Sequence, residues 1–237
     1  VVHDAGKGRG GKITGGRKST CGTPQGGVIS PLLANVYMNR FLKYWRMQGC
    51  DEVFRAHVVS YADDFVILSR GKAEPALEWT AAVMERLGLR LNETKTVIRD
   101  GRKETFNFLG YTFGRCYSTQ DGHAYIGTRP SKQSVQKLCR VISEATSRRR
   151  ALLDAETVVK GLNRKLIGWA NYFCLGPVSK AYRTIDQHAS ARLRRWLCAK
   201  HKQPGKGTAR YPNEHLHDVL GLQRLSVRTR DFPWAKA

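Results

Sequence analysis

Leu33, Tyr37, Phe41 and Trp45 recur every four residues, which places them on one face of a helix. Ser30 suits the N-cap of that helix and Pro31 its first turn, where a missing N–H costs nothing; Gly49 suits its stop. A β pattern follows, Ala56-His57-Val58-Val59-Ser60-Tyr61-Ala62, then Asp63-Asp64, then Phe65-Val66-Ile67-Leu68. Two apolar runs around a pair of acids predict a hairpin with carboxylates at its turn. Leu77, Ala81, Met84 and Leu87 predict a second amphipathic helix closed by Gly88. Short strands are expected at 96–99 and 105–113. From residue 129 the pattern predicts helices throughout. Their stripes are Val135, Leu138, Ile142 and Ala145; Val158, Leu162, Leu166, Trp169 and Phe173; and Tyr182, Ile185, Ala189, Leu193 and Trp196. Three such stripes with short connections, the last two parted at Gly176-Pro177, predict a small bundle. Gln203-Pro204-Gly205-Lys206-Gly207 reads as a loop into a mixed tail, and there is no internal repeat.

Charge adds a second level of organisation. The 237 residues carry 41 Lys+Arg against 19 Asp+Glu, a net +22 with pI near 10.2. Self-repulsion on that scale calls for a polyanion, with nucleic acid the first candidate and an acidic membrane surface the second. The excess is uneven. Residues 21–128 hold 13 basic and 11 acidic residues, whereas 129–202 hold 17 and 4, a net +13. The expected division is therefore a flexible basic loop or cut end at 1–20, a nearly neutral module at 21–128, a basic helical module at 129–202 and a tail at 203–237. A solvated basic face without a ligand is the bland alternative for the third segment. No apolar run reaches the ~18–20 residues of a spanning helix. Val1-Val2-His3-Asp4 leads into a Gly- and Lys-rich stretch, not the apolar core of a signal peptide. Cys21, Cys50, Cys116, Cys139, Cys174 and Cys198 form no C-x-x-C pair, which disfavours a thiolate zinc site. They read as reduced thiols of an intracellular, cytoplasmic compartment, several of them on apolar faces.

Asp63 and Asp64 carry the sharpest chemistry. Two adjacent carboxylates inside an apolar hairpin are unfavourable unless cations compensate them. A tight turn can bring both to one ion, and Mg2+, which prefers hard oxygen ligands, is the natural guest. An ordinary exposed Asp-Asp turn is the competing reading; the flanking apolar runs favour a buried, metal-binding pair. Cys21-Gly22-Thr23-Pro24-Gln25-Gly26-Gly27 opens onto the first helix, where glycines allow close backbone approach and a helix N-terminus offers N–H groups to an anion. Taken alone, the loop favours a plain glycine-rich turn. The loop lacks the Gly-Lys-Ser/Thr ending of a Walker loop, which excludes an ATPase of that type.

These residues carry a resemblance. Gly22 through Asn35, followed by Tyr61-Ala62-Asp63-Asp64, resembles the reverse transcriptases encoded by group II introns. Asn92-Glu93-Thr94-Lys95-Thr96 and Phe106-Asn107-Phe108-Leu109-Gly110-Tyr111 are similar to that family's next two motifs, and Gly168-Trp169-Ala170-Asn171-Tyr172-Phe173 to the signature of its thumb, or maturase, region. The resemblance implies an α+β fold: a polymerase palm fragment with an antiparallel hairpin carrying Asp-Asp, then an all-α basic thumb bundle. It implies RNA-directed DNA synthesis with a maturase role in intron splicing and mobility. Asp63 and Asp64 would be two of three carboxylates holding two Mg2+ ions. Tyr61 and Ala62 would lie beside the primer end; Pro24, Gln25 and Gly26 near the incoming dNTP and template; Lys95 near the triphosphate; and Phe108, Leu109, Gly110 and Tyr111 in the primer grip. Lys132, Arg148, Arg149, Arg150, Arg164, Lys165, Arg194 and Arg195 would hold the RNA template–DNA primer duplex and the group II intron RNA.

The family's third carboxylate sits well upstream of the Gly22–Gly27 loop, behind a fingers region. Asp4 is the sole acid before that loop, and its setting does not match. The expectation is that one metal ligand, and the fingers, come from outside this chain, from an upstream fingers and palm piece. Two alternatives remain: a non-polymerising maturase that binds intron RNA, or a reverse transcriptase of the retron or diversity-generating type. Trp169, Tyr172 and Phe173 read as core residues more than as base-stacking platforms. Arg148-Arg149-Arg150 reads as both a helix C-terminal charge and an RNA contact. His215 and His217 have only Asp218 nearby and suggest no metal site.

Overall fold

Pro31 has no main-chain N–H to leave unsatisfied and opens the first helix, α1 (Ser30–Met47). The computed structural model describes residues 27–62, 64–92, 94–118 and 121–229. Ile29, not Ser30, holds the N-cap position; the Ser30 amide closes a turn onto the Gly27 carbonyl at 3.1 Å. Gly49, at φ +60°, ends the helix and leads into a single turn, α2 (Cys50–Val53). Pro24, Gln25 and Gly26 lie outside the described residues.

The described chain falls into two compact units, divided between Ile98 and Arg99. In the first, strands β1 (Ala56–Tyr61) and β2 (Asp64–Ser69) form an antiparallel pair whose last register pair is Tyr61 and Asp64. Helix α3 (Ala73–Arg86) follows. The core gathers Phe41 and Trp45 of α1 with Phe54, Ala56, Ala76, Val83 and Met84, and Val58, Phe65 and Ile67 pack onto it. Trp79 meets Trp45 edge-on at 5.4 Å between ring centroids, and the Trp45 indole N–H donates to the Asp51 carboxylate at 2.9 Å. Each of these large side chains contributes about 1.5–3 kcal/mol by burial. Two expected stripes shift. Leu33 and Tyr37 are exposed, and α3 buries Ala76, Thr80, Val83 and Met84 while Ala81 faces out.

The strand expected at 96–99 does not form. The Asn92 side chain accepts from the Thr94 and Lys95 amides, closing a turn, and 96–100 then run without a ladder partner. The strand expected over 105–113 divides into β3 (Phe106–Phe108) and β4 (Tyr111–Tyr117). Leu109 and Gly110, at φ +49° and +79°, make the tight turn between them.

The second unit begins with those strands. β5 (Ala124–Pro130), which helix periodicity alone does not reveal, completes an antiparallel sheet in the order β3-β4-β5. The sheet's strands thus run past residue 128, and the helical run starts at α4 (Lys132–Ala145). Ser131 caps α4 by accepting from the Ser134 amide at 3.1 Å, and Asp154 caps α5 (Ala155–Tyr172) through the Thr157 amide. Helix α6 (Ser179–Lys200) completes a three-helix bundle around Ile142, Leu162, Leu166, Tyr182, Ile185, Leu193 and Trp196. The described part of the tail is not a separate appendage. Tyr211, Leu216, Leu222 and Leu225 join the same core, and the Asp186 carboxylate accepts from the Leu225 and Ser226 amides that begin α7 (Leu225–Arg228). No described helix is long and apolar enough to cross a membrane.

Candidate active site and nucleic-acid interface

The hairpin of the first unit fixes the first candidate site. Strand side chains alternate between faces, so Ala56, Val58, Phe65 and Ile67 meet the helices, whereas His57, Val59, Tyr61, Asp64, Val66 and Leu68 share the opposite face. Tyr61 and Asp64 sit at its end, cross-strand neighbours beside the loop. Ala62, next to Tyr61, takes a left-handed conformation, φ +53°. Asp63 lies outside the described residues. The expectation of a buried carboxylate changes for Asp64, which is exposed because helices cover only one face of the two-stranded sheet. Tyr61 is likewise 66% exposed. The face presents a carboxylate oxygen donor and a phenol to whatever approaches the hairpin tip.

Lys95 stands in the exposed turn organised by Asn92, where its amide bonds the Asn92 carbonyl at 3.0 Å. Among the described residues no three His, Cys, Asp or Glu side chains cluster as a metal site.

In the second unit Phe108, Leu109, Gly110 and Tyr111 come together at the β3–β4 turn. The Gly110 carbonyl accepts from the Ser131 amide at 2.9 Å and the Ser134 hydroxyl at 2.8 Å, and the Leu109 carbonyl accepts from the Tyr172 hydroxyl at 2.9 Å. The Tyr111 hydroxyl donates to the main-chain carbonyl of Tyr172, and burial pushes this phenol's pKa up. A Cβ on Gly110 would stand 2.9 Å from both the Phe173 ring and the Ser134 hydroxyl. Glycine is required here by space as well as by φ.

The signature Gly168–Phe173 ends α5. Phe173 is buried and its ring lies tilted against Trp169, 4.6 Å between centroids, as a core reading expects. Tyr172 departs from that reading: it is 52% exposed. It is the last residue of α5 and lies beside the apolar stripe, not on it.

The basic residues sort into two groups. Lys132, Arg148, Arg149, Arg150, Arg164, Lys165 and Arg195 are exposed. Arg194 is not free in the same sense: its Nε donates to the Tyr211 carbonyl at 2.8 Å and its guanidinium also bonds the Asn213 side chain. Arg148–Arg150 form a 3-10 turn beyond α4 and do not bond its last carbonyls. Arg192 does so, donating to the carbonyls of Ser143 at 2.9 Å and Thr146 at 3.2 Å. Lys200 similarly holds the Leu153 carbonyl at 2.7 Å. Arg192 and Lys200 were missed as structural cations because their partners lie nearly fifty residues away. His217 serves the fold, bonding Ser190 and the Leu222 carbonyl.

Two family models match consecutive parts of the chain. The one described as reverse transcriptase (RNA-dependent DNA polymerase) matches residues 8–113, and the one described as group II intron, maturase-specific domain matches residues 135–212. Protein YkfC of Escherichia coli strain K12 is 32% identical over 152 residues, covering 50% of this chain and 39% of that protein. The chain thus spans about two-fifths of the length of this curated relative.

Proposed function

We propose that this chain, which belongs to the group II intron reverse transcriptases and maturases, contributes the primer-end half of an RNA-directed DNA polymerase and a basic thumb that binds intron RNA. The observation that carries the reading is the β1–β2 hairpin, whose tip offers Tyr61 and Asp64 on the face away from the helices. Asp63 and Asp64 provide hard oxygen donors suited to Mg2+, and the exposure of Asp64 leaves room for an ion with its waters and substrate phosphates. Bound there, Mg2+ would supply charge stabilisation of the attacking and leaving oxygens of phosphoryl transfer. The remaining carboxylate ligand comes from outside this chain, from an upstream fingers and palm piece.

The chain's own residues do the positioning. Tyr61 and Ala62 form the floor beside the primer 3′ end. Phe108, Leu109, Gly110 and Tyr111 grip the primer strand, and Lys95 faces the triphosphate of the incoming dNTP. Pro24, Gln25 and Gly26 border the nucleotide and template. The nearly neutral 21–128 module acts as palm and the basic 129–202 module as thumb. In the thumb Lys132, Arg148, Arg149, Arg150, Arg164, Lys165 and Arg195 meet the phosphates of template–primer duplex and intron RNA, whose A-form shape is read without sequence. Arg194 shapes that surface from beneath.

The test is Mg2+-dependent primer extension on an RNA template by the chain supplemented with the upstream fingers and palm piece, with Asp63→Asn as control. Extension by the unmodified chain and not by the variant supports polymerisation. A second reading, a maturase that binds intron RNA without polymerising, is favoured by the sequence upstream of the Gly22–Gly27 loop, where Asp4 is the sole acid and its setting does not match the third carboxylate. It expects no extension from either protein and an intron RNA affinity that Asp63→Ala leaves unchanged.

A further inference from the structure

We propose that Tyr172 is a positioning residue for the primer end, latching the Leu109–Gly110 turn to the end of α5. The inference rests on the reading that this turn grips the primer. The two tyrosines clasp reciprocally: the Tyr172 hydroxyl donates to the Leu109 carbonyl at 2.9 Å, and the Tyr111 hydroxyl donates back to the Tyr172 carbonyl. Their ring centroids are 5.9 Å apart. The clasp spans about sixty residues and ties the segment matched by the reverse transcriptase family to the segment matched by the maturase-specific domain.

Stability alone does not account for this bond. Tyr172 is half-exposed and Leu109 is only partly buried, so water can reach the Leu109 carbonyl when the phenol is absent. The buried work at this junction is done by others: Phe173 fills the space over Gly110, and the Ser131 amide and Ser134 hydroxyl satisfy the Gly110 carbonyl. What the Tyr172 hydroxyl adds is a fixed place for Leu109. A two-residue turn with both φ angles positive has few alternatives in the strands but can rock as a unit. A hydrogen bond to its first central carbonyl, anchored on a helix end, restricts that rocking. The turn is thereby held by α4 through Gly110 and by α5 through Leu109, which makes the helical bundle the reference frame for the primer terminus.

The test uses the full chain bound to an RNA template–DNA primer duplex with 4-thiothymidine at the primer 3′ terminus. Crosslinks to the 108–111 peptide are read by mass spectrometry, and duplex affinity by fluorescence anisotropy. Tyr172→Phe keeps the ring and removes the hydroxyl. Expected is a fall of about fivefold in crosslinking to that peptide, the population shift one hydrogen bond can drive, with duplex Kd unchanged. Ser134→Ala, which removes a second hold on the same turn, should act in the same direction and is informative even if Tyr172→Phe misfolds. Unchanged crosslinking in both variants overturns the latch and leaves the primer-grip reading standing. A loss of duplex affinity that matches the loss of crosslinking also overturns it, marking Tyr172 as merely structural. No crosslink from the unmodified chain removes the primer-grip reading itself, and the latch falls with it.

Discussion

Replacing Tyr182 by Phe tests the bundle at its most closed point. Tyr182 is fully buried, and its hydroxyl lies 3.1 Å from the Ala170 carbonyl and 3.0 Å from the Phe173 carbonyl, at the end of α5 where helical carbonyls lack partners. Phe keeps the ring against Trp169 and leaves those carbonyls without a donor, a cost of about 1–3 kcal/mol at neutral pH. The cost should depend on pH. Burial pushes the Tyr182 pKa up to about 12, whereas an unfolded tyrosine titrates near 10. The native state therefore holds this proton more tightly. The associated stability is complete below pH ~10 and is lost as pH rises toward ~12, at roughly 1.4 kcal/mol per unit. The Phe variant has no such proton to lose. The stability gap between the two proteins, read from urea unfolding by circular dichroism, should narrow by about 1 kcal/mol between pH 10 and pH 11. A gap that stays constant over that range would refute the reasoning, because it would mean that the hydroxyl is neither desolvated nor capping the helix.

Gly176→Ala should destabilise the second unit by about 2 kcal/mol or more, seen as a lower urea midpoint, since φ is +72° and the new Cβ would collide with the Thr128 carbonyl. Asp154→Ala should lower the melting temperature at pH 7. The Thr157 hydroxyl bond holds the Asp154 carboxyl below its ordinary value, so this difference is present above pH ~4 and should vanish as pH falls through the depressed native value. Arg149→Ala should weaken RNA binding and leave melting unchanged, whereas Arg194→Ala should lower the melting temperature because the Tyr211 carbonyl loses its donor. If about six phosphates are contacted, log affinity for RNA should fall against log salt with a slope of roughly −4 to −5, and a flat response would contradict the RNA-clamp reading.

Much of this fold was legible where one period dominates. The stripes Val158–Leu162–Leu166 and Tyr182–Ile185–Ala189–Leu193–Trp196 proved buried along their length, because a helix inside a bundle needs a continuous apolar face. The hairpin at 56–69 was legible from its two apolar runs. What failed depended on partners distant in sequence. Val97 and Ile98 have strand-like side chains but no neighbour to pair with among the described residues, while Ala124–Pro130, short and interrupted by Gly127, becomes a strand because β4 lies beside it. Tyr211, Leu216, Leu222 and Leu225 are too widely spaced for a periodic signal, yet each fills a place on the bundle. The candidate site divides in the same way. The Tyr61-to-Asp64 tip follows from local turn chemistry, but the Leu109–Tyr172 bond could not be read from spacing, because its two ends belong to separate motifs.

The same division explains what the positive charge is for. Arg192, Arg194 and Lys200 spend their donors on backbone carbonyls, so part of the basic excess of 129–202 is internal mortar that a charge count cannot separate from ligand contacts. Lys160 is matched by Glu156 at 2.7 Å, one turn earlier. Arg164, Lys165 and Arg195 are different: each is exposed, and none has an acidic residue three or four positions away on its helix. Lys132 opens α4, where a cation opposes the helix dipole. These positions cost the isolated fold electrostatic energy and return nothing to its packing. A charge placed against the fold's own interest is better evidence for an external polyanion than the total of +22, since the total includes residues that the fold needs for itself.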